Sequence, residues 1–393
     1  MNITDLKTRE ENDFFHTYKR LQIEIAHGEG CSLYTKSGEK ILDMFGGLAV
    51  NVLGYGHKKM NEAIKSQVDK YIHISNLFYQ EKQIALAEKI KQLSGFEKVF
   101  FCNSGTEATE AAIKAVRKYS LGTDKTTLVS FTGSFHGRTM GALSLTARKK
   151  YREQFLPLLS DVKHLEFNSV AELESEINDT TAAVFIECLQ GEGGINPAQA
   201  DFISKLNELK KKYGFIIAAD EIQSGVGRTG TFNAFTQFAL AADIIIMAKG
   251  IGGGLPLGAI AGNKRVENVF TYGEHGSTFG GNPVAAASGL VVMDELENGL
   301  MQKNKSNGEI LLSELNSIKQ KYPDKIREVR GMGLMLGVEL TSPGQAVVDE
   351  LMKRNVLVNC TNENVIRLLP PYIITKEEID LFCDRFEEVI SGL

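Results

Sequence analysis

The chain has 393 residues, 43% hydrophobic and 24% charged, with a formal charge of −5 at pH 7 and a pI near 5.9. That length exceeds what a single hydrophobic core usually organises, so about two domains are expected. The mildly acidic balance gives no footing for nucleic acid or an anionic membrane as partner.

In chain order, the first residues (Met1 to Glu11) are too charged for a signal peptide, and no later run reaches transmembrane length. Lys98–Cys102 reads as a strand, followed by an amphipathic helix over Thr106–Tyr119 and a strand over Thr126–Phe131. Thr181–Ile186 is the next strand, then a helix over Phe202–Tyr213, and strands over Phe215–Ala219 and Asp243–Met247. This alternation argues for an α/β chain with a mostly parallel sheet. Beyond residue 290 the texture changes to long Lys/Glu-faced helices, followed by Glu328–Leu340 and Asn355–Leu369. The expected division is a large domain over 61–290, with 1–60 and 291–393 forming a smaller one. The five cysteines are scattered without a Cys-x-x-Cys pair and read as reduced thiols in a cytoplasmic protein. The seven histidines form no pair at ligand spacing, so no metal is expected.

In open parallel sheets, ligands gather at the carboxyl ends of the strands. After the first strand stands Asn103-Ser-Gly-Thr-Glu107, a small-residue turn whose backbone N–H groups suit a phosphate, or else a plain helix cap by Ser104 or Thr106. After the second come Phe135, able to stack on a flat ring, and Arg138, able to grip a carboxylate; a core Phe and a surface Arg are the plainer alternatives. Glu187 and Glu192 follow the third strand, Asp220 and Gln223 the fourth, and Lys249 the fifth. An apolar pocket pulls a lysine pKa down and favours the neutral amine that forms Schiff bases, although a lysine ending a strand can also snorkel to solvent. A strand-end lysine with a strand-end acid suits pyridoxal phosphate, which needs an amine for its aldehyde and a carboxylate beside its ring nitrogen. Gly225-Val-Gly-Arg-Thr-Gly230 matches a dinucleotide fingerprint literally. It does not directly follow its strand, however, and no acid ends a second strand about twenty residues on.

Six segments together resemble the class III pyridoxal-phosphate aminotransferases. They are Asn103–Ala108, Ser134–Thr139, Gln190–Gly194, Asp220–Gly230, Ala248–Gly254 and Gly276–Pro283, and the likeness runs from about residue 18 to 371. The resemblance implies the aspartate-aminotransferase-type fold (fold type I). That fold has a large seven-stranded, mostly parallel domain, a small α/β domain from both termini, and a homodimer with shared active sites. It further implies that Lys249 carries the cofactor as a Schiff base, Asp220 pairs with the ring nitrogen, Phe135 stacks on the ring and Gln223 contacts the ring hydroxyl. Ser104, Gly105 and Thr106 would hold the phosphate, with Thr278 supplied by the partner subunit. Tyr18, Arg138, Glu192, Ser277 and Arg367 would contact amino-acid and 2-oxo-acid substrates.

Within the family, Asp43–Asn51 and Asn359–Pro371 resemble segments of the acetylornithine aminotransferases, which implies transamination of N-acetylornithine with 2-oxoglutarate in arginine biosynthesis. Departures are Leu53–Lys58 at the expected site entrance, Glu187–Gln190, and Thr109 where Asn is common. One pocket must then serve two donors: Arg138 would grip the far carboxylate in both half-reactions, and Arg367 the α-carboxylate of glutamate. Glu192 would pair with Arg367 when N-acetylornithine is bound, unless the two form only an ordinary surface ion pair. Other readings are an ω-aminotransferase for ornithine, succinylornithine, succinyl-diaminopimelate or 4-aminobutyrate, an aminomutase, and a non-enzymatic protein of the same fold.

Overall fold

The computed structural model describes residues 3–393. Its centre is a seven-stranded sheet in the order Lys98–Cys102, Gly258–Gly262, Ile244–Met247, Ile216–Asp220, Thr181–Ile186, Thr127–Phe131 and Val162–Leu165. All run parallel except Gly258–Gly262, which is antiparallel to both neighbours. The central strands Thr181–Ile186, Ile216–Asp220 and Ile244–Met247 are buried at every residue, as continuous Ile/Val/Ala runs covered on both faces must be.

The helix Gly105–Tyr119 lies close to this sheet because its inner stripe, Ala108, Ala111, Ala112 and Ala115, has little side-chain bulk. Ser104 caps its N-terminus by accepting the N–H of Glu107, and Arg117 and Lys118 occupy its negative end. Ala200–Tyr213 buries Phe202, Ile203, Leu206 and Leu209 and stops at Gly214, whose φ of 70° few other residues adopt without strain.

Besides a two-stranded ribbon pairing Leu189–Gln190 with Asn196–Pro197, there are two four-stranded sheets. One contains Ile25–Glu29, Ser32–Thr35 and Lys40–Asp43, with Val356–Leu357 added in parallel to the last, so both ends of the chain meet in a single sheet. The other is antiparallel, in the order Ile326–Met332, Met335–Leu340, Val365–Leu368 and Asn359–Thr361. The stretch Glu328–Leu340, expected as one segment, is a hairpin turning at Gly333 and Leu334. Asn355–Leu369 divides into three short strands, two of them separated by Asn362 and Glu363 at positive φ.

Two strands of the large sheet went unread in the sequence. Val162–Leu165 is an edge strand interrupted by Lys163 and His164, and Gly258–Gly262 is bounded by glycines that signal a turn. The expected element ends moved by a residue or two: the first helix begins at Gly105, and Thr126 and Phe215 lie outside their strands. Among the described residues no helix is long and apolar enough to cross a membrane.

Candidate active site

The carboxyl ends of the parallel strands open into a cavity of about 430 Å³ lined by Ser104, Phe135, Asp220, Gln223, Glu192 and Lys249, among others. Lys249 follows the strand Ile244–Met247 and opens a single 3-10 turn, Lys249–Gly252, with φ at +50°. A non-glycine residue held there is strained and persists only where its surroundings enforce it. Burial lowers the Lys249 pKa to about 8, helped by the Arg367 charge and opposed by Glu192, Asp220 and Glu187. On the order of a tenth of the amine is therefore uncharged at pH 7, against well under a thousandth for a free lysine.

Asp220 ends its strand inside the protein, and its Oδ1 accepts the N–H of Ile222 at 3.0 Å. Its Oδ2 lies 2.7 Å from Nδ1 of the fully buried His136. His136 is fixed through its backbone, its N–H donating to Thr146 Oγ1 and its carbonyl accepting from Thr109 Oγ1, both at 2.9 Å. Burial alone would lower its pKa; the hydrogen bond and charge of Asp220, with Glu187 behind, outweigh burial and raise it. Glu187 accepts the N–H groups of Phe135 at 2.9 Å and Gly191 at 3.1 Å, and burial followed by the Asp220 charge raises its pKa. An acid, an imidazole and a second acid thus share one buried cluster beside the amine. The 2.7 Å contact with His136 Nδ1 fixes the orientation of the Asp220 carboxyl at the cavity wall.

At the turn after Asn103, Ser104 Oγ is used as the helix cap, and Gly105 and Thr106, the first two residues of the helix, line the cavity. Thr106 Oγ1 accepts from the N–H groups of Arg138 and Thr139, both at 3.1 Å, joining this turn to the Phe135–Arg138 segment. A Cβ on Gly105 would come within 2.7 Å of Ile222 Cδ1, so any larger residue there would have to displace the Ile222 side chain. Phe135 is half-buried and meets Tyr151 edge-on at 5.9 Å. Arg138 is exposed, with its guanidinium 4.0 Å above the Tyr151 ring.

Arg367 is 1% exposed, and its Nη1 lies 2.6 Å from Glu192 Oε1. The same Nη1 donates to Gln223 Oε1 at 3.2 Å, and Nε donates to Asn359 Oδ1 at 3.1 Å. Burial would raise the Glu192 pKa, but Arg367 above all, then Lys249 and Arg148, hold it below the usual range. This is a pair with one member buried, not a surface contact.

Other expected residues lie elsewhere. Tyr18 is 76% exposed with the Arg20 guanidinium 5.9 Å from its ring, and is not among the cavity-lining residues. Thr278 is exposed and off the cavity, and Ser277 touches the rim only through its Oγ, which accepts from Asn103 Nδ2 at 3.2 Å. At the Leu53–Lys58 departure, Tyr55 turns inward and donates to Asp43 Oδ2 at 2.7 Å. His136 and Glu187 received no role from the sequence. The one available signal was their place, His136 between Phe135 and Arg138 and Glu187 directly after a strand.

The family model described as aminotransferase class-III matches residues 15–390. The chain is 40% identical to the acetylornithine aminotransferase of Methanocaldococcus jannaschii, over 96% of this chain and 95% of that one. It is 42% identical to the acetylornithine aminotransferase of Aquifex aeolicus, over 95% and 99% respectively. Among solved structures, the ornithine aminotransferase of Toxoplasma gondii ME49 superposes with a TM-score of 0.95 at 26% identity, covering 100% of this chain and 96% of that one. The N-acetylornithine aminotransferase of Stenotrophomonas maltophilia K279a gives 0.82 at 32% identity, covering 96% and 97%.

Proposed function

The chain belongs to the class III aminotransferases, pyridoxal-phosphate-dependent transaminases of fold type I, and from that premise we propose that it transfers the distal amino group of N-acetylornithine to 2-oxoglutarate, giving N-acetylglutamate 5-semialdehyde and glutamate. Relatives named for that substrate support the reading, and the buried Glu192–Arg367 pair beside Lys249 is the observation that carries it. The residues present fit the cofactor: a largely desolvated amine, a buried acid held by an imidazole, a half-buried phenyl ring and the N-terminal turn of a helix lining one cavity. When bound, pyridoxal phosphate supplies an electron sink for the bond broken at the amino-bearing carbon.

In this reading Lys249 Nζ would bind the cofactor and move the proton at that carbon, and Asp220, oriented by His136, would pair with the ring nitrogen. Gln223 would contact the ring hydroxyl. Ser104, Gly105 and Thr106 would hold the phosphate with Thr278 of a second copy, Ser277 at the rim would add to the substrate pocket, and Tyr18, exposed and off the cavity in a single copy, would join it only once brought onto the site. Arg138 is free to leave Tyr151 and grip the far carboxylate of either donor. Arg367 takes the α-carboxylate of glutamate, and Glu192 neutralises it when the donor presents an amine without one. An unpaired buried Arg367 would otherwise cost several kcal/mol.

Separate single-turnover half-reactions test this. Arg367→Ala should damage the glutamate half-reaction far more than the N-acetylornithine one, and Glu192→Gln should shift preference towards α-amino donors. Equal losses in both would sink the division of labour. Ornithine, succinylornithine, succinyl-diaminopimelate or 4-aminobutyrate outrunning N-acetylornithine would reassign the substrate.

The proposal extends to a cytoplasmic homodimer in which 1–60 and 291–393 form a smaller unit around 61–290. The sheet shared by Lys40–Asp43 and Val356–Leu357 supports the division, and five free cysteines suit a reducing compartment. Supporting the dimer is a solvent-facing apolar patch containing Leu77 (90% exposed), Tyr79 (97% exposed), Phe78 and Phe279. It is tied to the Thr278 turn by Asn76 Nδ2, which donates to the Ser277 and Gly280 carbonyls at 3.0 and 3.1 Å.

A further inference from the structure

We infer that the short strand Asn359–Thr361 determines donor specificity by positioning both halves of the Glu192–Arg367 pair; the inference rests on the two-donor reading above. Asn359 and Thr361 are two apart on one strand and so share a face, and Asn359 pairs in register with Arg367 on the neighbouring strand. Asn359 Oδ1 holds Arg367 Nε at 3.1 Å, which fixes the guanidinium plane and leaves Nη1 to exchange partners. Thr361 Oγ1 donates to the backbone carbonyl of Glu192 at 2.8 Å, and Arg148 Nη2 donates to that same oxygen.

The loop around Glu192 needs such restraint. Gly191, Gly193 and Gly194 surround it, and Gly194 and Ile195 sit at φ of +108° and +56°. A backbone of this kind keeps one conformation only where its neighbours impose it. On the far side, Arg330 supplies that restraint, its Nη2 donating to the Gly194 carbonyl at 2.7 Å and its Nε to the Ile195 carbonyl at 3.1 Å. Arg330 is neutralised by Glu328 at 2.7 Å and Glu339 at 2.6 Å. With the main chain clasped on both sides, an incoming α-carboxylate can displace only the Glu192 side chain, which returns to Arg367 when the carboxylate leaves. Without the clasp the whole loop can drift and uncover Arg367 while an ω-amino donor is bound. Thr361 and Asn359 are thus positioning residues that act through Glu192 and Arg367.

The test uses the cofactor-loaded enzyme in single-turnover half-reactions with N-acetylornithine and with glutamate, alongside thermal melting and the visible cofactor absorbance. In Thr361→Val, the N-acetylornithine-to-glutamate ratio of kcat/KM should fall roughly five- to tenfold, the worth of one lost hydrogen bond. Thr361→Ser should restore it, and in a Glu192→Gln background Thr361→Val should change the ratio by less than about twofold, because the partner it acts through is gone. Asn359→Ala should raise the glutamate KM roughly tenfold and affect the N-acetylornithine arm less. An unchanged ratio, equal losses in both arms, or a full Thr361→Val effect without Glu192 would overturn the inference. If Thr361→Val melts early or loses cofactor, the Asn359→Ala glutamate KM decides, and no change there overturns it. A wild-type enzyme that rejects N-acetylornithine but accepts another ω-amino donor would refute the substrate reading alone, and the same ratio measured with that donor then judges the clasp.

Discussion

In the proposed reaction, the chemistry at the scale of single residues falls on Lys249. Borohydride reduction of the loaded enzyme should fix the cofactor to the peptide containing Lys249, and a label on any other lysine would refute that assignment. Lys249→Ala should abolish turnover while the phosphate seat still retains some cofactor. With its pKa near 8, capture of pyridoxal phosphate by the cofactor-free protein should accelerate as pH rises through about 8 and level off near about 9. A midpoint near the ordinary lysine value of 10.5 would show that the amine is not desolvated. The linkage has a definite sign. The unfolded chain holds this proton up to about pH 10.5 and the folded one only to about 8, so burying Lys249 destabilises the cofactor-free fold below pH 8. That penalty fades as pH rises between the two values. His136 works in the opposite sense to burial, its proton held by Asp220 and Glu187. His136→Phe should therefore loosen the cofactor and weaken turnover, while a His136→Phe enzyme with unchanged cofactor affinity and rate would remove His136 from the site.

Among the elements, the antiparallel strand Gly258–Gly262 matters beyond its place in the sheet. A Cβ on Gly258 would sit 2.4 Å from the Ser104 carbonyl oxygen and 2.8 Å from its carbonyl carbon, both backbone atoms that cannot rotate away. Gly258→Ala should therefore push the turn that caps helix Gly105–Tyr119, costing about 1–3 kcal/mol of stability as overpacking does. It should also raise the cofactor dissociation constant, read by absorbance after dialysis. If Gly258→Ala retained both stability and cofactor, the strand would not be what holds the phosphate seat in place. Thr109 serves the same junction from the helix side, its Oγ1 donating to the carbonyls of Gly105 and His136.

For the whole molecule, the exposed patch around Leu77 and Tyr79 and the off-site position of Thr278 lead to one expectation. Thr278→Ala should remain folded and dimeric yet lose cofactor more readily. Leu77→Asp combined with Tyr79→Asp should give monomers by sedimentation, with cofactor occupancy falling in parallel. A monomer that keeps full occupancy and activity would rule out a shared site.

The strand-end residues were legible in the sequence because a parallel sheet delivers every carboxyl end to one side: once Cys102, Phe131, Ile186 and Met247 end strands, the residues just after them must meet. Lys249, Asp220, Phe135 and the Ser104–Thr106 turn follow from that rule, and the long motifs gave the family. The strands Val162–Leu165 and Gly258–Gly262 were hidden because lysine, histidine and flanking glycines mask an extended segment whose partners are distant in sequence. The family resemblance implied the Glu192–Arg367 pair, but only tertiary structure buries Arg367, since its paired acid lies 175 residues away and its Asn359 brace depends on strand register. The same holds for His136, whose role comes from an Asp220 contact spanning 84 residues. Local pattern decides which residues stand at strand ends; burial and long-range pairing decide the charge and orientation they carry there, because both depend on what the rest of the chain packs around them.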